Sequence, residues 1–386
     1  MLLDCQHALA PQHRRALADV VHADGLRDKA RGGKTAIDRG ERLGRVGRKL
    51  PTVLLAKAQQ ARLAGFEVDG ADAHHRLGCK IAFLAKERET LLDHLEGGVA
   101  AATYAQGDDA RGEVQDIADF TGDSLELARK AATVEADVIV FCGVYFMAET
   151  AAILNPGKTV LIPDPSAGCP MADMITGEQL RKLKAEHPGA VAVCYVNSTA
   201  EVKAECDLCV TSGNAEKAMA TVPRDREILF VPDCHLGDHI SSLEGRRYVL
   251  WPGYCPTHAR LTANAIADAR AAHPGAPVLV HPECARDVRE AADERLSTGG
   301  MCRYARESAA KTILVGTEVG LLHRLRTENP EKTILPVSDT LVCPNMKKTT
   351  LENVAEALRE MKTRVTVPED IATRARRAIE AMLAVG

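Results

Sequence analysis

Three of the chain's twelve cysteines, Cys169, Cys255 and Cys343, stand 86 and 88 residues apart, and each follows a short apolar run. The runs are Thr159-Val-Leu-Ile-Pro, Tyr248-Val-Leu-Trp-Pro and Lys332-Thr-Ile-Leu-Pro. A period this long and this regular points to a duplicated α/β unit that presents one sulfur from a loop after a strand. Each cysteine is followed directly by proline, in Gly168-Cys-Pro-Met, Tyr254-Cys-Pro-Thr and Val342-Cys-Pro-Asn. Proline removes a backbone donor and fixes the exit angle of the chain, and Cys-Pro is a recurring setting for cluster-ligating thiolates. Any one free cysteine is ordinarily a small buried hydrophobe; three at matched positions call for another reading. Three soft thiolates suit zinc or an iron-sulfur cluster. A structural zinc wants a fourth protein ligand and closely spaced pairs, whereas three thiols at a pseudo-threefold centre leave a four-metal cluster one protein ligand short. An iron left open in that way acts as a Lewis acid on a hydroxyl or carbonyl oxygen.

Chemistry at such a centre needs proton-transfer groups and anion holders. Val280-His-Pro-Glu-Cys284 sets His281 and Glu283 two apart at a strand end, pointing the same way and suited to acid/base work. Tyr195 and Asn197 form the matching pair one unit earlier. Three small hydroxyl loops, Thr121-Gly-Asp-Ser124, Thr211-Ser212-Gly-Asn and Ser297-Thr298-Gly-Gly, have serines 88 and 85 residues apart. Their hydroxyls and backbone N–H groups could hold phosphate or carboxylate, although each loop taken singly also reads as a helix cap. A fourth set of loops follows the strands ending near Cys142, Asp233 and Glu318. His258, three residues past Cys255, reads as a partner of the ligand or as a donor to substrate. Cys206 and Cys209, the CxxC pair, and Cys142, Cys194, Cys234, Cys284 and Cys302 have no repeat partners and are expected in the core.

The elements that must position these groups are short β-branched strands alternating with amphipathic helices from about residue 108 onward, the pattern of parallel sheets with covering helices. Strands are expected at Val138-Ile-Val-Phe, Thr159-Val-Leu-Ile, Val191 to Val196, Ile228-Leu-Phe-Val, Pro277-Val-Leu-Val and Thr312-Ile-Leu-Val, and helices at Gly177 to Ala185 and Leu261 to Ala272. Sites in α/β folds form beyond the carboxyl ends of strands, so three units each offer several strand-end loops to one centre. Net charge of -4 and 3% aromatic residues leave no nucleic-acid surface to read. No apolar run approaches the ~18 residues of a membrane span. Cysteines without a secretion signal argue for reduced thiols in a soluble, cytoplasmic protein. Residues 1–105 take no part in the repeat: they are Arg-rich and poor in β-branched runs, with helical pieces expected at Arg14 to Val21 and Lys80 to Leu95.

The ordered motifs Gly112-Glu-Val-Gln-Asp-Ile-Ala-Asp-Phe-Thr-Gly-Asp-Ser124, Phe141-Cys-Gly-Val-Tyr-Phe-Met-Ala-Glu-Thr150, Tyr195-Val-Asn-Ser-Thr199, Val280-His-Pro-Glu-Cys284, Ser297-Thr-Gly-Gly-Met301, Gly316-Thr-Glu-Val-Gly320 and Cys343-Pro-Asn-Met-Lys-Lys348 together resemble the quinolinate synthase family of NAD biosynthesis, from about residue 112 to the C-terminus. The resemblance implies an α/β protein of three pseudo-threefold-related three-layer α/β/α sandwich domains with parallel sheets around a central 4Fe-4S cluster. It divides the chain into 106–173 plus 345–386, 174–257 and 258–344. It implies the condensation of iminosuccinate with dihydroxyacetone phosphate to quinolinate, phosphate and two waters, and functional coupling to an aspartate oxidase or dehydrogenase that makes iminosuccinate. Carried over by motif, Cys169, Cys255 and Cys343 hold the cluster, Glu283, His281 and Tyr195 are catalytic, and Ser124, Asn197, Ser212, His258, Ser297 and Thr298 bind substrate.

One motif departs. The family's first strand ends in a His-x-Tyr element, and counting back without gaps places Gly107 and Asp109 there, with Tyr104 and Gln106 as stand-ins if the loop is longer. The expectation is that residues 1–105 derive from a displaced reading frame. Two other classes stay open on the sequence: a catalytically impaired iron-sulfur protein acting as a redox or iron sensor, and a zinc-stabilised α/β binding protein.

Overall fold

The computed structural model describes residues 101–106 and 110–385, which belong to the second of two units, Glu87–Gly386. The helical pieces expected at Arg14 to Val21 and Lys80 to Leu95, and positions Gly107 and Asp109, lie outside the described residues. Among the described residues are three parallel four-stranded sheets. The first is built from β1 (Ala101–Gln106), β2 (Phe120–Gly122), β3 (Val138–Cys142) and β4 (Thr159–Leu161) in the order β2-β1-β3-β4. The second contains β5 (Val191–Tyr195), β6 (Leu208–Val210), β7 (Ile228–Val231) and β8 (Val249–Leu250), and the third β9 (Val278–Val280), β10 (Glu294–Arg295), β11 (Thr312–Gly316) and β12 (Thr333–Pro336). Their orders, β6-β5-β7-β8 and β10-β9-β11-β12, repeat that of the first sheet. The α/β reading of the sequence is therefore correct, and the repeat is real in strand order.

Central strands are apolar throughout because helices cover both sheet faces, as parallel sheets require. In the third sheet the period-2 alternation sends Val278, Val280 and Leu314 into one cluster with Leu261 and Ile266. Leu279, Ile313 and Val315 point the other way, onto Met301, Leu321 and Leu325. The edge strands β4, β8 and β12 are the apolar runs that precede the three cysteines.

The sequence pattern missed β1. Ala-Ala-Thr-Tyr-Ala-Gln carries no Val or Ile, and its strand character comes from pairing with β3, where Tyr104 stands opposite Phe141. Tyr104 is fully buried, its ring 5.0 Å from Phe120 and 6.3 Å from Phe141. It is a core residue and does not serve as a stand-in at the site.

Each cysteine loop is built the same way. The N–H groups of Tyr145, Cys234 and Val319, just beyond β3, β7 and β11, donate to the carbonyls of Ala167 (2.8 Å), Gly253 (2.8 Å) and Leu341 (3.0 Å), two residues before each cysteine. A 3₁₀ turn follows at Ala172–Met174, His258–Arg260 and Met346–Lys348, three residues past the sulfur. Thr176, Thr262 and Thr350, seven past it, then cap the next helix by accepting the N–H of Gln179, Ala265 and Asn353. The C-terminal helix Glu369–Val385 ties units together: Asn214 Nδ2 donates to the Met382 carbonyl (3.2 Å) and Arg376 Nε to that of Ile153 (2.9 Å).

At Gly253 a Cβ would stand 2.5 Å from the Pro232 carbonyl oxygen, so only glycine lets the Cys255 loop approach β7. Gly253→Ala is expected to destabilise the fold by about 1–3 kcal/mol, as overpacking does, visible as a lowered Tm in a calorimetric scan. An unchanged Tm would show that the loop is not held against the strand.

Candidate active site

Loops from the carboxyl ends of all three sheets meet around one partly open cavity. Eleven of the twelve residues selected from the sequence line it: Cys169, Cys255, Cys343, Glu283, His281, Tyr195, Ser124, Asn197, Ser212, His258 and Thr298. Ser297 does not; its hydroxyl is the N-cap of helix Thr298–Glu307, accepting the Gly300 N–H at 3.1 Å.

The strand-end pairs of β5 and β9 face each other. Tyr195 donates its hydroxyl to Glu283 Oε1 at 2.6 Å, and His258 Nδ1 lies 2.9 Å from Glu283 Oε2. His281 sits beside them, with Nδ1 accepting the Glu283 N–H (3.3 Å) and Nε2 against Ser212 Oγ (3.1 Å), an arrangement that fits a neutral ring donating from Nε2 to the serine. The two imidazoles stack with centroids 4.8 Å apart. Burial alone would raise the Glu283 pKa, but His258, His281 and the Tyr195 hydroxyl together bring it well below the usual carboxylate range. The result is an ionised carboxylate shielded from water. Burial in turn lowers His281 to about 4. Burial and then the Glu283 charge push the Tyr195 phenol far up, so it stays protonated.

The sulfurs are set by their turns. Burial pushes the Cys169 thiol up to about 12, against the N–H groups of Ala172 and Met171, which favour the thiolate. Cys255 is likewise raised by burial and faced by the N–H groups of His258 and Thr257. Sulfurs at the start of a tight turn are thus aimed at backbone donors, a ready setting for thiolate ligands. Among the described residues Cys255, His258 and Glu283 form a group whose ligand atoms all lie within 4.8 Å of one another, and the three thiols do not form such a group.

The hydroxyl loops converge through glycine. Asp123 caps helix Ser124–Thr133 with one oxygen and aims the other at the third loop, where a Cβ on Gly299 would stand only 2.6 Å from it. A Cβ on Gly213 would meet Ser297 Oγ at 3.3 Å and Asp123 Oδ2 at 3.7 Å. All three loops therefore come within contact distance of one another.

Among the other lining residues, Asp123, Thr317 and Glu318 carry polar groups that the sequence reading did not assign to the site, and Gln106, named only as a stand-in, lines it as well. Thr317 Oγ1 lies 2.8 Å from His258 Nε2. Glu318 is buried; its carboxylate accepts the Cys343 N–H (3.0 Å) and pairs with Lys347 (2.9 Å). The motif Gly316-Thr-Glu-Val-Gly320, lying past a strand at the repeat spacing, was the signal for both. Gln106 and Asn197 each turn a buried side-chain oxygen with no hydrogen-bond partner, Oε1 and Oδ1, onto this region. Buried acceptors of that kind ordinarily find a partner, and a polar ligand would supply it. Among the cysteines expected in the core, Cys142, Cys194, Cys206, Cys209, Cys284 and Cys302 are buried, whereas Cys234 is half-exposed at the first turn of its helix. No described helix is long and apolar enough to cross a membrane.

The model of the quinolinate synthetase A protein family matches residues 104–384. A quinolinate synthase of Dehalococcoides mccartyi is 53% identical over 306 residues, which cover 79% of this chain and 97% of the relative. Those of Methanoregula boonei and Thermus thermophilus are 55% and 53% identical over 274 and 278 residues, in each case 71% of this chain and 90% of the relative. With the matched region spanning all three sheets and every cysteine loop, the chain belongs to the quinolinate synthetase A family.

Proposed function

We propose that this chain condenses iminosuccinate with dihydroxyacetone phosphate to form quinolinate, phosphate and two waters. The observation that carries the reading is the meeting of Glu283, held ionised by its neighbours, with three cysteine loops in one cavity. Cys169, Cys255 and Cys343 would hold a 4Fe-4S cluster. The donor set fits: three soft thiols share one cavity wall. When bound, the cluster supplies Lewis acidity toward a substrate oxygen through the iron that lacks a protein ligand.

The remaining work falls to the chain's own groups. The Glu283 carboxylate takes a proton from substrate carbon, and the Tyr195 hydroxyl at its Oε1 keeps it oriented. His281, neutral and bonded to Ser212, offers its Nε2–H as a hydrogen-bond donor to Ser212 and to a substrate oxygen beside it. Ser124 and Thr298 open helices Ser124–Thr133 and Thr298–Glu307, so their backbone N–H groups and hydroxyls suit a phosphate. Asn197, Ser212 and His258 are left for the carboxylates of iminosuccinate. The reduced thiols and the oxygen-sensitive centre fit a cytoplasmic setting, and an aspartate oxidase or dehydrogenase would supply the unstable imine. A second reading, a cluster-binding protein of low turnover that senses iron or redox state, is favoured by one observation: Gln106 lines the first edge, and the sequence there, Tyr104-Ala-Gln-Gly-Asp-Asp109, holds no His-x-Tyr element.

Glu283→Gln keeps the shape and removes the charge, so quinolinate formation should fall by about 10²- to 10⁴-fold while iron content stays at the wild-type level. Unchanged turnover would remove Glu283 from the mechanism. Cys169→Ser and Cys343→Ser should each abolish the visible absorbance of the anaerobically reconstituted protein. If either variant retains full iron and sulfide, that cysteine is not a ligand.

A further inference from the structure

Cys255, His258 and Glu283 form a compact ligand set distinct from the three-thiol set, sharing only Cys255 with it. Their ligand atoms lie within 4.8 Å of one another, at the carboxyl ends of the second and third sheets. His258 and Glu283 are buried, 8% and 4% exposed, which separates them from the exposed acidic clusters that commonly bind nothing. We propose that, in the chain without its cluster, these three residues bind one zinc-type divalent ion, with the fourth position open to water.

Three features of the geometry carry this. Thiolate, imidazole and carboxylate are the borderline donor set that Zn²⁺ takes in open, three-ligand sites. His258 Nε2 rests 2.8 Å from Thr317 Oγ1; when zinc takes Nδ1, the ring proton moves to Nε2 and is donated to Thr317, the outer-sphere arrangement that orients metal-bound histidines. The Cys255 sulfur faces the backbone N–H groups of His258 and Thr257, donors that steady a metal-bound thiolate. Zinc binding releases the thiol proton to solvent, and the bound ion carries no redox change. Because Cys255 serves both sets, zinc and cluster exclude one another, and zinc holds Glu283 and His258 away from substrate. The inference does not depend on the cluster reading, since it uses one of the three thiols.

The test is titration of the full chain, made metal-free and kept reduced under anaerobic conditions, with ZnSO₄ by calorimetry, and with CoCl₂ to read the thiolate-to-metal absorption band. One ion per chain is expected. Affinity should fall at least tenfold in Cys255→Ser, His258→Ala and Glu283→Gln, and stay within twofold of wild type in Cys169→Ser and Cys343→Ser, which remove cluster ligands only. Circular dichroism before titration identifies any variant that fails to fold; Thr317→Val, which leaves all three ligands in place, should weaken zinc three- to tenfold and serves as the second probe. Zinc retained in Cys255→Ser, or lost in Cys169→Ser or Cys343→Ser, overturns the proposal, as does a titration showing no zinc bound. Loss of cluster in Cys169→Ser together with intact zinc binding supports it.

Discussion

Everything at this site hangs on a backbone hydrogen bond repeated three times, from the N–H just beyond a central strand to the carbonyl two residues before a cysteine. Each bond is worth only about 1 kcal/mol net, yet it joins the sheet, the most rigid part of each unit, to the loop that carries the sulfur. With the carbonyl pinned, the Cys-Pro step, the 3₁₀ turn and the threonine cap follow in fixed order, and the thiol direction is set by chain geometry. The close approach explains the need for glycine at position 253, where Pro232 leaves no room for a side chain.

The units are alike in backbone and unlike in the side chain that stands beside the pinned loop. Beyond β3 that residue is Val144, beyond β7 it is Asp233 and beyond β11 it is Glu318. Val144 adds only apolar packing. Burial, and then the charge of Glu283, raises the Asp233 pKa, so Asp233 yields its charge and Glu283 keeps its own. Glu318 instead gains a lysine and the Cys343 N–H and fastens the third loop. A single duplicated scaffold thereby yields an apolar wall at the first loop, a neutral acid at the second and a clamped ligand loop at the third.

Much of this was legible in the sequence because it rests on spacing. Cysteines, strand-end pairs and hydroxyl loops recur at 85 to 88 residues, and loops at the carboxyl ends of equivalent strands line one cavity. The parts that escaped do not depend on spacing. The first strand was missed because its strand character comes from pairing with β3 and from Tyr104 packing against Phe120 and Phe141. The cap role of Ser297 was not separable from an anion-holding one, because a helix cap and an anion-binding loop share the same small polar residues. Thr317 and Glu318 act on His258 and on the Cys343 N–H, contacts between segments 59 and 25 residues apart that no local pattern reports. The hydroxyl loops meet through Gly213 and Gly299, whose importance shows only when a missing Cβ is placed in space.

The central claim is that two complete edges of the site, with Gln106 on the third, suffice for the family's chemistry. Its most direct test is quinolinate formation by the wild-type chain, reconstituted anaerobically with iron and sulfide and supplied with dihydroxyacetone phosphate and freshly generated iminosuccinate. Iron and sulfide are counted on the same sample. Four irons per chain with steady, stoichiometric release of quinolinate and phosphate is the predicted result; a fully loaded chain that makes no quinolinate would contradict it.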